Sequence, residues 1–421
     1  MNVSFLDLIH LFSCGAHGIK PCGDRTYLLD EILAQAVSQG ILPVVFLALQ
    51  DLYDSGEIKM DPPLFEKLKM QIIAIIARNT SKLHMTQQLL KGFADKNIEC
   101  CVLKGETLAA LYHTPDSRIS SDTDILIDPK RLDDAIAILN ELQFTIEPHA
   151  PTSHHIRAVH KHMGLVELHF RLYDELYEEA WFDNQAFITE GYRALTTANG
   201  YQLPVLGITD GLIYVVLHYV KHFLTQGVGI RQLMDLLLYM QQYDKEIDWD
   251  RFNDLMIRLK YKKFIEISIG IGVKYLNFSE ASLPDYTGAE DTMMKILTDM
   301  EQGGVFGKNT EDRHGFYLQY TKARFDSFKS ETYQDYMKKW YRPNSSKLVF
   351  PSVKVLSLAY PYLNKRPYLY FAAWIHRLFA TIIHVLKGKK TLSGIRNLEN
   401  QAAENAVIQD RMNLIHELDM I

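Results

Sequence analysis

The run Ser121-Asp122-Thr123-Asp124-Ile125-Leu126-Ile127 carries the strongest chemical signal in the chain. Side chains alternate faces along a strand, so Asp122 and Asp124 share one face while Ile125 and Ile127 occupy the other. Two carboxylates so placed repel unless a positive charge sits between them. Oxygen donors in this arrangement suit a hard divalent cation, Mg²⁺ or Mn²⁺. The simpler alternative is a strand start bearing two solvated aspartates, and the Asp-x-Asp spacing alone does not exclude it.

Three further features favour the cation. Val102-Leu103-Lys104-Gly105 reads as a strand running into a glycine and then a helix, with Gly105 lying 17 positions before Asp122. Such a turn presents backbone N–H groups and a helix N-terminus to an anion, as a phosphate site requires. In Val166-Glu167-Leu168-His169-Phe170, Glu167 and His169 share one strand face and the apolar residues line the other. Arg118, three residues before Ser121, is a cation able to clamp phosphate oxygens. Together these residues supply phosphate binders, two metal carboxylates and a third carboxylate. Phosphoryl and nucleotidyl transfer need that inventory.

The segment LKGETLAALYHTPDSRISSDTDILI, followed by VELHF, resembles the polymerase-β-like nucleotidyltransferase superfamily, in which a strand, glycine turn, helix, Asp-h-Asp-h (h apolar) and a later acidic residue recur. Within it the chain resembles an uncharacterised bacterial nucleotidyltransferase family, and the similarity is expected to extend through HYVKHFLTQGVGIRQLMD and the Pro-Tyr-rich C-terminal region, over most of the chain. The resemblance implies an α+β fold, a small mixed sheet embedded in a mostly helical protein. It also implies that Asp122 and Asp124 hold Mg²⁺ or Mn²⁺ with Glu167 as the third carboxylate, and that Lys104, Gly105 and Ser121 lie along the triphosphate of an NTP. On the residues' own chemistry Arg118 is expected to join the triphosphate contacts and Glu167 to act as base. The sequence departs from the superfamily in three ways. Glu106 follows the glycine, the spacing to Asp122 is long, and Thr123 stands between the aspartates.

The elements that must position these residues are legible as changes of period. Residues 1–97 read as helices, with apolar positions at helical spacing in Leu29–Val37 and Phe65–Phe93 and a breaker at Asp61-Pro62-Pro63. Short strands are expected at Glu99–Leu103, Asp122–Ile127 and Phe144–Glu147, with helices at Glu106–Tyr112 and Leu132–Leu142. Ile156–His160 and Leu165–Leu172 read as a hairpin whose turn contains Gly164. Helices return at Asp210–Thr225, Ile230–Tyr243, Trp249–Leu259 and Phe264–Tyr275. Glu301–His314 reads as a linker and Ser393–Ile421 as a polar terminal helix. The expected division is a helical region to 97, an α/β nucleotidyltransferase-like domain over 98–205, a helical domain over 206–300 and a mostly helical region over 301–421.

Histidines gather near the site: His149, His154, His155, His160, His162 and His169. Their spacing matches no familiar zinc pattern. His169 is expected to support Glu167 by hydrogen bonding, and His154 and His155 read as solvated. His218 and His222 share a helix face, as do Arg231 and Asp235 on the next helix, where an i,i+4 ion pair is the plain expectation. A sharper expectation brings Lys221, His222 and Arg231 over the nucleotide.

With 47% apolar and 23% charged residues, the 421-residue chain is neither disordered nor low in complexity. A net charge of −6 argues against a long polyanion as partner. The acceptor is therefore expected to be a small molecule, glycan or protein. Cys14, Cys22, Cys100 and Cys101 are too few for a disulfide framework, which points to a reducing, cytoplasmic setting. No signal peptide or membrane span is read. Seven basic residues from Lys365 to Arg396, with no acidic one, flank an aromatic helix that suits an anionic membrane surface or a buried helix with a basic exit. A non-catalytic nucleotide sensor stands as the alternative to an enzyme, because a carboxylate at Glu106 would repel a triphosphate.

Overall fold

The computed structural model describes residues 3–22, 25–148, 154–161, 164–172, 188–225, 227–286, 288–304, 316–317, 320, 369–372 and 406–421. The chain divides into two compact units, Met1–Thr310 with Glu417–Met420, and Glu311–His416 with Ile421. In the second unit the Arg411 guanidinium lies 4.4 Å over the Phe316 ring. The basic stretch 365–396 lies outside the described residues except for 369–372, as do His149, His162 and most of the linker after Gly304.

The first unit opens with four helices, α1 Val3–His17, α2 Leu29–Ser38, α3 Leu42–Asp54 and α4 Pro62–Asp95. Pro62 and Pro63 start α4 rather than merely interrupting the chain. Proline has a helical φ, and the N–H it lacks would have no partner in a first turn. The strands β1 Cys100–Val102, β2 Asp122–Ile127, β3 Thr145–Ile146, β4 His155–His160 and β5 Gly164–His169 fall where the sequence pattern placed strands. Gly164 opens β5 opposite His160. Two short helices intervene, α5 Glu106–Ala109 and α6 Leu132–Glu141.

A second hairpin, β6 Tyr192–Thr196 with β7 Gln202–Leu206, was not expected from the sequence. It completes a seven-stranded mixed sheet of order β3-β4-β5-β2-β1-β7-β6. β2 pairs parallel with β5 and antiparallel with β1, and β1 pairs parallel with β7. The α+β expectation, a small mixed sheet among many helices, therefore holds.

α4 and α6 cover one face of this sheet. Leu89, Phe93, Ala135 and Leu139 pack there with Val102, Ile125, Ile127, Val166 and Leu168 in one core, each under 2% exposed. Burial of each large apolar side chain contributes about 1.5–3 kcal/mol. Alternation then fixes where Asp122, Asp124, Glu167 and His169 stand, on the opposite face. The chain continues through α7 Ile208–Leu224, α8 Ile230–Tyr243, α9 Trp249–Arg258, α10 Lys262–Tyr275 and α11 Glu290–Gly303. A last helix, α12, spans Ala406–Glu417. Among the described residues no helix is long and apolar enough to cross a membrane.

α5 ends three residues earlier than its periodicity suggests. Tyr112 is drawn into the core, where its hydroxyl donates to Asp235 at 2.8 Å, and the His113 amide bonds to the Ala16 carbonyl of α1. One turn of helix has little macrodipole, so α5 presents little of the helix-end field expected at this turn.

Candidate active site

β2 and β5 lie side by side with Asp124 opposite Glu167 and Asp122 opposite Leu165. The three carboxylates thus share one sheet face. Lys104, just beyond β1, places its ammonium among them, 3.2 Å from Asp124 Oδ2 and 3.5 Å from Asp122 Oδ2. The positive charge demanded by two neighbouring aspartates is here supplied from within the chain. Burial works against the ammonium, yet Asp124, Asp122 and Glu167 outweigh it and raise the Lys104 pKa.

Asp124 is fully buried. Burial alone would raise its pKa, but the Lys104 ammonium and the His169 imidazole hold it below the usual carboxylate range. His169 Nε2 lies 3.0 Å from Asp124 Oδ1 and 3.8 Å from Glu167 Oε2. Glu167 is shifted the other way. Burial first, then the charges of Asp124 and Asp122, raise its carboxyl above the ordinary value. Two carboxylates on one face are therefore shifted in opposite directions.

The donor set fits a divalent cation. Three carboxylates supply oxygen ligands, and Asp124 Oδ2 is buried without a hydrogen bond, facing the ammonium. Asp124, Glu167 and His169 each offer a ligand atom within 4.8 Å of the others.

Gly105 turns the chain beside this cluster at φ +84°, a conformation that side chains with a Cβ rarely adopt. A Cβ there would also meet Ser120 Oγ at 3.1 Å. Arg118 holds the turn from behind, donating to the Gly105 carbonyl at 3.1 Å. Its other nitrogens form a bidentate pair with Asp235 of α8 at 2.7 and 2.6 Å. A buried guanidinium so engaged is not available to clamp a phosphate. Arg118 is thus a scaffold of the glycine turn, against the expectation that it grips the triphosphate. The i,i+4 pair of Arg231 with Asp235 is likewise replaced, since Asp235 takes Arg118 and Tyr112 while Arg231 donates to the Ile119 carbonyl. Ser121 stays exposed, its hydroxyl 3.3 Å from Asp122 Oδ1.

Glu106 does not point its charge at the turn unopposed. It accepts a hydrogen bond from the Thr123 hydroxyl at 3.0 Å and sits 3.6 Å from the Lys82 ammonium. Lys82 is buried on α4 and also donates to the Asp122 carbonyl. The sequence carried a signal for it. Lys82 and Thr86 are polar residues in the stripe that otherwise holds Leu83, Leu89, Leu90 and Phe93.

From α7, His218 and His222 face the same charges. Burial and then the Lys104 ammonium push His222 down to about 3 and His218 well below the usual range, so both rings are neutral near pH 7. Their Nε2 atoms lie 3.2 Å apart. His222 thus meets the Lys104 charge as a neutral ring, whereas Arg231 is held by the Ile119 carbonyl. His154 is 5% exposed, which corrects the expectation of a solvated side chain.

A family model described as uncharacterised nucleotidyltransferase matches residues 28–277. No curated protein matches the chain. Among solved structures, the antibiotic-resistance factor ANT(2'')-Ia is similar with a TM-score of 0.32 and 13% identity, covering 43% of this chain and 94% of its own. The lincosamide antibiotic adenylyltransferase LnuA with lincomycin bound gives a TM-score of 0.28 and 15% identity, covering 38% and 94%.

Proposed function

The chain belongs to the uncharacterised nucleotidyltransferase family, and on that premise we propose that it moves a nucleoside monophosphate from an NTP to an acceptor hydroxyl. The acceptor oxygen bonds to the α-phosphorus, the bond to the bridging oxygen breaks, and pyrophosphate leaves with that electron pair. The hydroxyl proton passes to Glu167. The observation that carries this reading is the carboxylate face, with Asp122, Asp124 and Glu167 in register around one positive charge.

Asp122, Asp124 and Glu167 would hold Mg²⁺ or Mn²⁺, which supplies charge for the triphosphate oxygens when bound. Glu167 suits the base because it stands on the same sheet face as the two aspartates, in register with Asp124. Asp124, held ionised, keeps the site anionic and orients His169. Lys104, Ser121 and the amides of the glycine turn line the path for the phosphates. His222, a neutral ring on α7, would face the nucleotide beside this lysine. The charge balance of the chain favours a small-molecule, glycan or protein acceptor over long nucleic acid. The sensor alternative loses its motive, since Glu106 is turned to Thr123 and Lys82.

Pyrophosphate release from an NTP and Mg²⁺, with fractionated cell extract as the acceptor pool, tests the proposal. Asp122→Asn plus Asp124→Asn is expected to lower release by about 100-fold or more. Unchanged release would sink it.

A further inference from the structure

Beside the carboxylates stands a histidine cluster of which the proposed transfer uses only His169, as the partner of Asp124. His155 and His169 are cross-strand partners on β4 and β5, and His154 directly precedes β4. One ring nitrogen of each of the three lies within 4.8 Å of the others. His155 Nδ1 and His154 Nε2 are already 3.1 Å apart. Two nitrogens on one tetrahedral zinc, each about 2.0–2.1 Å from the metal, stand about 3.3 Å from each other. The remaining ring pairs have centroids 5.0 and 5.2 Å apart, so modest side-chain rotation closes the set.

The second observation concerns His169, which is 4% exposed. Its Nε2 faces the ionised Asp124, which can only accept, so the proton resides on Nε2. Nδ1 is then a bare lone pair, and it is buried with no hydrogen-bond partner. Buried polar atoms are seldom left so, and one that is calls for an explanation such as an ion. A carboxylate hydrogen-bonded to one nitrogen of an imidazole is also the usual support behind a histidine that ligates metal through the other.

We propose that His154, His155 and His169 form a site for a borderline divalent cation, zinc by its chemistry, separate from the hard-cation site at Asp122 and Asp124. Imidazole nitrogen selects such ions over Mg²⁺, which prefers oxygen ligands. The fourth position is left to water, since Glu167 Oε1 lies 3.7 Å from His155 Nε2, the ring nitrogen turned away from His154. Asp124 then joins the two sites, as a carboxylate of one and the support of His169 in the other.

The test uses the full chain, stripped with chelator and loaded with Co²⁺ in the presence of millimolar Mg²⁺. One retained equivalent per chain, with the visible absorption of four-coordinate cobalt, is expected. Paramagnetically shifted, exchangeable imidazole N–H resonances in that same native sample require no variant. The band should vanish in His154→Gln plus His155→Gln and persist in Asp122→Asn, which abolishes transfer on the proposed function. Loss of transfer and loss of cobalt are thus separable. No retained cobalt, no shifted N–H signals, a band surviving the double histidine variant, or one lost with Asp122→Asn alone would each overturn the site.

Discussion

Glu106 and Thr123 depart from the superfamily pattern at two positions 17 apart, and they hydrogen-bond to each other. With Lys82 behind them they form one buried polar unit under the glycine turn. Read singly, each looks like a defect of the site. In three dimensions the hydroxyl and the ammonium answer the carboxylate. Glu167 carries the sharpest consequence at this scale. Its pKa is raised by burial and by Asp124 and Asp122, and a base acts only when deprotonated. Activity should therefore fall on the acid side as the Glu167 carboxylate gains a proton. In a kcat/KM profile, Glu167→Gln is expected to lose that acid limb together with about 10²–10⁴-fold of rate. An unchanged limb in the variant would place the base elsewhere.

At the scale of elements, the sequence showed what is local and missed what is paired over distance. β2 and α8 fall on the residues their sequence patterns indicate, because both are dense in apolar side chains that the fold buries. β6 alternates between exposed and half-buried positions, so it has no core face to read. β7 carries Pro204, which argues against an interior strand, yet its ladder with β6 accommodates it. The carboxylates were legible for the same reason as β2, since Asp122 and Asp124 interrupt a strand pattern. The grip of α8 on the glycine turn was not. Arg118 and Asp235 stand 117 positions apart, and nothing in either segment names the other. That pair yields a test of the element it anchors. Asp235→Asn leaves a buried guanidinium without its carboxylate and should cost about 3–5 kcal/mol in denaturant unfolding. A loss below about 1 kcal/mol would mean that the turn is not held from α8.

For the whole molecule, the net charge of −6 is an average over unlike surfaces. A small sheet gathers an anionic face around Lys104, while α4 and α6 bury its other side and α8 braces the turn. Family membership supplies the reaction class, and the register of β2 with β5 supplies the residues proposed to perform it. The central claim is that the transferred group is the α-phosphoryl with its nucleoside. The purified chain, Mg²⁺ and an extract acceptor pool can be given NTP labelled at either the α- or the γ-phosphate. The account predicts that α-label enters an acceptor, that γ-label leaves in pyrophosphate, and that Asp122→Asn plus Asp124→Asn stops both. Transfer of the γ-label to an acceptor, or α-label transfer that survives the double substitution, would contradict it.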